Sequence, residues 1–186
     1  SNAGYGLAAA VAERATGTDW ATLLRTRLFA PLGIPDAAVR VGWPGLAGAA
    51  PWGHVPAGSA WSAHAPTDGR LLAVPGALAP AGDLAMTMAA YGRVLQLHLR
   101  GLAGRDGVLR AATVRTLHAP DGTYAFGWGV ANGPTGPLHA HEGSAGTFHA
   151  VTLLDPGAGV AVATVTNAGG PAAAAAVRDA ALAALR

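Results

Sequence analysis

Leu138-His-Ala-His-Glu-Gly143, Phe148-His-Ala-Val-Thr-Leu-Leu154 and Gly159-Val-Ala-Val-Ala-Thr-Val-Thr166 decide the fold. Each run is short, apolar or β-branched, and punctuated by glycine. The turns at 144–147 and Asp155-Pro-Gly-Ala158 join them as consecutive antiparallel strands. A further strand candidate, 124–131, precedes them.

Upstream, the apolar residues Leu7, Val11, Leu23, Leu24 and Leu28 recur at helical spacing. They predict helices over 4–16 and 19–29, the second capped by Thr18 or Asp19. Pro31 and Pro35 end that second helix, since proline cannot continue the hydrogen-bond ladder. Leu84, Met88, Tyr91, Leu95 and Leu99 predict another helix, with Asp83 as its N-cap. A shorter helix is expected at 111–118, and a last one over 172–185 with Pro171 in its first turn. Helices, then strands, then a helix make an α+β chain with an antiparallel sheet of three or four strands. Residues 1–186 are read as one domain. Its long irregular stretch, about 36–82, is read as a functional loop or lid pinned by Trp43, Trp52 and Trp61, with a short strand at 51–56.

The composition narrows the function. A chain of 186 residues that is 51% hydrophobic and 12% charged can bury a core. The net charge of +2 and the scattered arginines give no basic patch, so nucleic acid is not an indicated partner. With no cysteine there are no disulfides or thiolate metal sites. No apolar run reaches the roughly 18 residues of a membrane span. Phosphate-binding loops, His-Glu-x-x-His and Gly-x-Ser-x-Gly are all missing.

His139 and His141 share one strand face, because side chains alternate along a strand, and such a pair is a candidate for zinc. No third ligand stands at a recognised metal spacing, so no metal and no cofactor are expected. Glu142 points the other way and is expected to be solvated. Gly143 and Gly146 let backbone amides approach a ligand, or simply make a turn. His98 and His118 lie near helix C-termini, where the helix dipole favours their charge. Met86, Met88 and Tyr91 continue an apolar face and are expected in the core.

Four blocks in order resemble the class C-like, beta-lactamase-related serine hydrolases. Ser1-Asn-Ala-Gly-Tyr-Gly-Leu7 is similar to the family's Tyr-Ser-Asn-x-x-Tyr-x-Leu stretch, and that fit favours reading Ser1–Ala3 as native rather than as a vector scar. Leu28-Phe-Ala-Pro-Leu-Gly-Ile34 and Pro80-Ala-Gly-Asp-Leu-Ala-Met86 resemble scaffold helices. Tyr124–Val130 resembles the family's Tyr-Gly-Leu-Gly-Trp segment. His141-Glu-Gly143 stands where the family has Lys-Thr-Gly or His-x-Gly, and Asn167 matches the Thr-Asn that closes the sheet.

The resemblance implies the C-terminal part of the beta-lactamase/transpeptidase-like fold. It also implies an acyl-enzyme formed by the serine of a Ser-x-x-Lys motif on an amide or ester. Carried over to this chain, the catalytic group holds Asn2, His141 and the backbone amide of Ser144 as an oxyanion-hole donor. Gly143, Glu142 and Tyr124 would bind substrate. The chain has no lysine, so the nucleophile block and the motif tyrosine are expected upstream of residue 1 and the chain alone is expected to be inactive. The resemblance further implies a small-molecule or peptide acyl substrate and a periplasmic or secreted setting. The missing strands would leave an open sheet edge and an uncovered helix face, to be covered by an N-terminal fragment of the same protein or by self-association. The rival reading is a non-catalytic module that keeps the cleft wall and binds cell-wall peptides.

Overall fold

The computed structural model describes residues 1–41, 51–65, 76–144 and 146–186. Trp43, expected to pin the long loop, lies outside them. Helix α1 (Asn2–Thr16) is capped by Ser1, whose Oγ accepts from Gly4 N. Helix α2 (Trp20–Leu24) starts at Asp19, whose carboxylate accepts from Thr22 N, and the chain runs on as a π-turn over Arg25–Phe29. Trp20 N donates to Glu13 Oε1 at 2.7 Å and joins the two helices.

Between 36 and 82 the described residues form regular pieces where an irregular loop was expected. Strand β1 (Val39–Val41) is followed by a hairpin of β2 (Gly53–Ala57) and β3 (Ala60–His64), then by a 3-10 turn over Gly76–Ala81. The tryptophans do not pin the hairpin, because Trp52 and Trp61 are 55% and 50% exposed. Asn167 does: its Nδ2 donates to Trp52 O at 2.9 Å and its own carbonyl accepts from His54 Nδ1 at 3.0 Å.

Asp83 is not the cap of the next helix. Leu84–Met86 forms β4, paired antiparallel with β1, and helix α3 (Met88–Leu102) begins only after Thr87, whose hydroxyl accepts from Ala90 N. The apolar spacing that reads as one helix is thus a strand followed by a helix. Helix α4 (Ala111–Leu117) packs on α3 and opens with Ala111 N bonded to Asp106.

The sheet is a four-stranded antiparallel meander of β5 (Gly129–Gly133), β6 (Gly136–Ser144), β7 (His149–Asp155) and β8 (Val160–Thr166), in that order. Helix α5 (Pro171–Ala184) follows, with Pro171 at its first position. Strand β5 starts later than expected, because Tyr124–Trp128 is a turn closed by bridges from Tyr124 to Asp121 and Gly129.

Side-chain alternation builds a core on each face of the sheet. Val151 and Leu153 pack on Val177 and Ala181 of α5. Leu154, from the opposite face, packs on Leu95 of α3 and on Trp128, with Tyr91 and Leu99 against them. Phe29, Ile34, Val39 and Ala90 form a third cluster. The result is the α+β arrangement expected from the element order. Among the described residues β5 and β8 are the two edges of the sheet; Val165 of β8 is exposed, and Leu7 and Val11 of α1 are exposed as well. No helix among the described residues is long and apolar enough to cross a membrane.

Thr87→Ala is expected to cost about 1 kcal/mol of stability, the usual worth of an N-cap. Urea denaturation should show this as a lower midpoint with unchanged slope, and Thr87→Ser should restore it.

Candidate active site

The two-residue turn Pro134–Thr135 makes Gly133 and Gly136 the closing pair of the β5–β6 hairpin. In such a hairpin that pair is hydrogen-bonded, so Gly136, Leu138 and Ala140 turn their backbone groups toward β5. Pairing with β5 stops at Ala140, opposite Gly129. Strand β6 continues to Ser144 with β7 on one flank and, among the described residues, no strand on the other. The alternation therefore leaves the amides of Glu142 and Ser144 facing the open flank.

The side chains follow the orthogonal alternation. His139, His141 and Gly143 share the face of Thr152 and Leu154, toward α3. A Cβ on Gly143 would meet nothing within 4 Å, so that face is open beside His141. Glu142 and Ser144 share the face of Val151, toward α5. The Ser144 hydroxyl donates to Phe148 O at 2.9 Å and accepts from Gly146 N, which shapes the turn rather than the cleft.

Glu142 is exposed, as expected, but it is paired and lies on the face toward α5, away from His141. Arg178 of α5 holds both its oxygens, Nη2 at 2.7 and 2.9 Å and Nε at 3.2 Å, and His149 Nε2 lies 2.8 Å from Oε1. The Arg178 bonds, and then His149, hold its carboxyl below the usual range. On this geometry Glu142 is removed from the substrate-binding set.

His141 Nδ1 lies 2.6 Å from Gly127 O. A carbonyl only accepts, so Nδ1 carries the proton and Nε2 is left to face other groups. Gly127 has φ +85°, a conformation side chains rarely adopt, and a Cβ there would come within 3.3 Å of the Tyr5 hydroxyl. The first turn of α1 thus reaches the His141 side of the sheet. Asn2 lies three residues before Tyr5 and so on the same helix face. Burial, and then the neighbouring Tyr124, push the Tyr5 hydroxyl above its ordinary value, so Tyr5 stays a neutral phenol. The sequence contained Tyr5 within the Ser1–Leu7 block without marking it as a site residue. Tyr124 and Phe126 are exposed at the same rim.

The β2–β3 hairpin borders the far end of β6. His54 N donates to Thr147 O, and Gly169 N to His54 O.

Behind the site lies a row of three histidines, His118 and His139 buried and His98 partly buried. His98 Nδ1 is 2.9 Å from His118 Nε2, and His118 Nδ1 is 3.2 Å from His139 Nδ1. Trp128 stacks on His118 with ring centres 4.8 Å apart, and meets His98 edge-on at 5.3 Å. Helix-dipole stabilisation of charged His98 and His118 is overturned, because burial drives them to about 4 and about 3, and lowers His139 too. His139 and His141 do share a face, but their Nδ1 atoms are engaged by His118 and Gly127. Among the described residues no group of His, Asp or Glu side chains is arranged to hold a metal ion.

The beta-lactamase family model matches residues 1–186. The chain belongs to the beta-lactamase family. Membership in the beta-lactamase family places it in a serine hydrolase-like superfamily. It is 28% identical, over 185 residues, to penicillin-binding protein 4 of Amycolatopsis lactamdurans, covering 89% of this chain and 46% of that protein. Among solved structures it is similar to SurE, with TM-score 0.76 and 26% identity over 100% of this chain and 43% of SurE. SurE with D-Leu matches at TM-score 0.67 and the same identity, covering 100% of this chain and 42% of that structure. An octameric penicillin-binding protein homologue from Pyrococcus abyssi shares the fold, with TM-score 0.76 and 16% identity, covering 99% of this chain and 41% of that one. This beta-lactamase-family chain spans less than half the length of each of these relatives.

His98 binds fewer protons folded than unfolded between pH 6.5 and about 4, so stability should fall as pH drops through that window, by up to about 1.4 kcal/mol per pH unit, and the lowered His118 and His139 act in the same direction. Thermal melts of His98→Gln should show a shallower fall than wild type. A wild-type melting temperature constant from pH 6.5 to 4.5 would contradict the neutral row.

Proposed function

We propose that the chain is the C-terminal portion of a serine hydrolase that cleaves an amide or ester through an acyl-enzyme. The observation that carries this reading is the open flank of β6, where the Ser144 amide faces outward beside His141 and the Tyr5 end of α1. Acyl transfer needs a preorganised donor for the developing oxyanion, and an outward strand amide is such a donor. A second amide, that of the nucleophile itself, completes the hole. The nucleophile belongs to a Ser-x-x-Lys block outside this sequence, which has no lysine, and the chain alone is inactive.

In this reading Asn2 and His141 belong to the catalytic centre. With its proton on Nδ1 bonded to Gly127, neutral His141 offers the Nε2 lone pair to the hydroxyl of a catalytic tyrosine, and in its imidazolium form it donates from Nε2 to a substrate carboxylate. Gly143 leaves room for the acyl group over the strand. Tyr124 borders the entrance. SurE has been solved with D-Leu, which favours a substrate that carries a D-amino acid. The outer edge of β8 and the exposed Leu7–Val11 face of α1 are covered by upstream sequence of the same protein, or by a second copy.

A fluorophosphonate or fluorescent penicillin should leave the 186-residue chain unlabelled. It should label a longer form of the protein carrying an upstream Ser-x-x-Lys, and His141→Ala in that form should lower the acylation rate by about 10²-fold, the lower end for a lost proton-handling group. Labelling of the short chain would refute the assignment of the nucleophile, and a longer form that never acylates would refute the hydrolase.

A further inference from the structure

The proposed chemistry leaves the row of histidines behind Trp128 without a role. We infer that His98, His118 and His139 are positioning residues: through Trp128 they fix the Gly127 carbonyl, and that carbonyl holds His141 with its proton on Nδ1 and Nε2 free for the cleft. The functional meaning of this rests on His141 belonging to the catalytic centre, but the linkage itself is a matter of geometry.

The Gly127 carbonyl is part of the peptide that leads into Trp128, so the seat of the indole sets where that oxygen points. The indole is buried between Leu95 and Leu154 and stacked on His118. Backbone bonds hold the turn on either side, Gly127 N to Ala125 O at 3.0 Å and Ala125 N to Trp128 O at 2.7 Å. The Tyr5 hydroxyl closes in from the other side. His141 completes the linkage, edge-on to Trp128 at 6.2 Å and bonded to Gly127 O.

An aliphatic residue in place of His118 would fill the same volume without fixing an orientation. A neutral imidazole has one N–H and one lone pair. His118 uses both, so it donates at one contact and accepts at the other, and its ring plane is set at both ends. His98 sits on α3 and His139 on β6, so the row also ties the C-terminal end of helix α4 to the sheet and to α3, against which Trp128 packs. Removing one member leaves a buried nitrogen unpaired and releases the ring against which the indole stacks.

Nitrogen NMR of the histidine-labelled 186-residue chain at pH 8 tests this, with the His141 signals assigned from His141→Gln. The wild type should show His141 protonated at Nδ1. In His118→Phe, which keeps a ring under Trp128 but no nitrogens, the Nδ1 resonance should move at least halfway toward the average of the two tautomers. His98→Gln removes the outer nitrogen contact and the edge-on ring contact but keeps His118 stacked under Trp128, and should give a smaller shift in the same direction. It also serves should His118→Phe not fold. The inference is overturned if wild-type His141 carries its proton on Nε2, or if the folded variants keep the wild-type signal. A longer protein that never forms an acyl-enzyme would leave these spectra unchanged, so the two readings fail separately.

Discussion

The register of β6 against β7 is the constraint on which the rest depends. With His139 opposite Leu154 and Ser144 opposite His149, one alternation sends Trp128, Leu95 and His141 to one layer and Glu142, Arg178 and α5 to the other. A second alternation, in the plane of the sheet, decides which amides β7 uses and which stay on the open flank. A slip by one residue would exchange both sets at once. His141 would then face α5, and a glutamate would enter the cleft. The clusters on both faces, Val151 with Val177 and Leu154 with Leu95, guard against that slip, so the packing of the core is also what positions the chemistry.

Much of this was legible in sequence because the strands are short, β-branched and separated by strong turn signals. Helix α5 was readable from its alanines and Pro171, and α1 and α2 from their apolar spacing and Asp19. The start of α3 was not, because Leu84 and Met86 fit a helical stripe as well as a strand. Only pairing with Val39–Val41, more than forty residues earlier, decides between the two. Of the β2–β3 hairpin only β2 was anticipated, as the short strand at 51–56, and its partner β3 was missed for a related reason. The hairpin's anchors are backbone groups and the Asn167 side chain, while the tryptophans that look like anchors stay half in water.

The site divides along the same line. The motif residues His141 and Gly143 fall together because they lie on one strand, and Tyr5 joins them through a contact that needed the fold. Glu142 was separated from them by simple alternation, yet its partners Arg178 and His149 could not be named from spacing. The histidine row was invisible, since His98, His118 and His139 come from three elements and each alone has an ordinary explanation. Family membership rests on the whole chain and the superfamily on that membership. The chain spans less than half the length of the relatives it matches, and the particular chemistry is a proposal.

Asn167 bonds to Trp52 and His54 across sequence separations of 115 and 113 residues. The hairpin is therefore synthesised long before the strand that seats it. A growing chain adds on the order of ten residues per second, so β2 and β3 spend roughly ten seconds without their dock, with Trp52 and Trp61 unprotected. The border of the cleft is accordingly among the later parts of this chain to acquire its shape, and a step open to a chaperone or to a wrong partner.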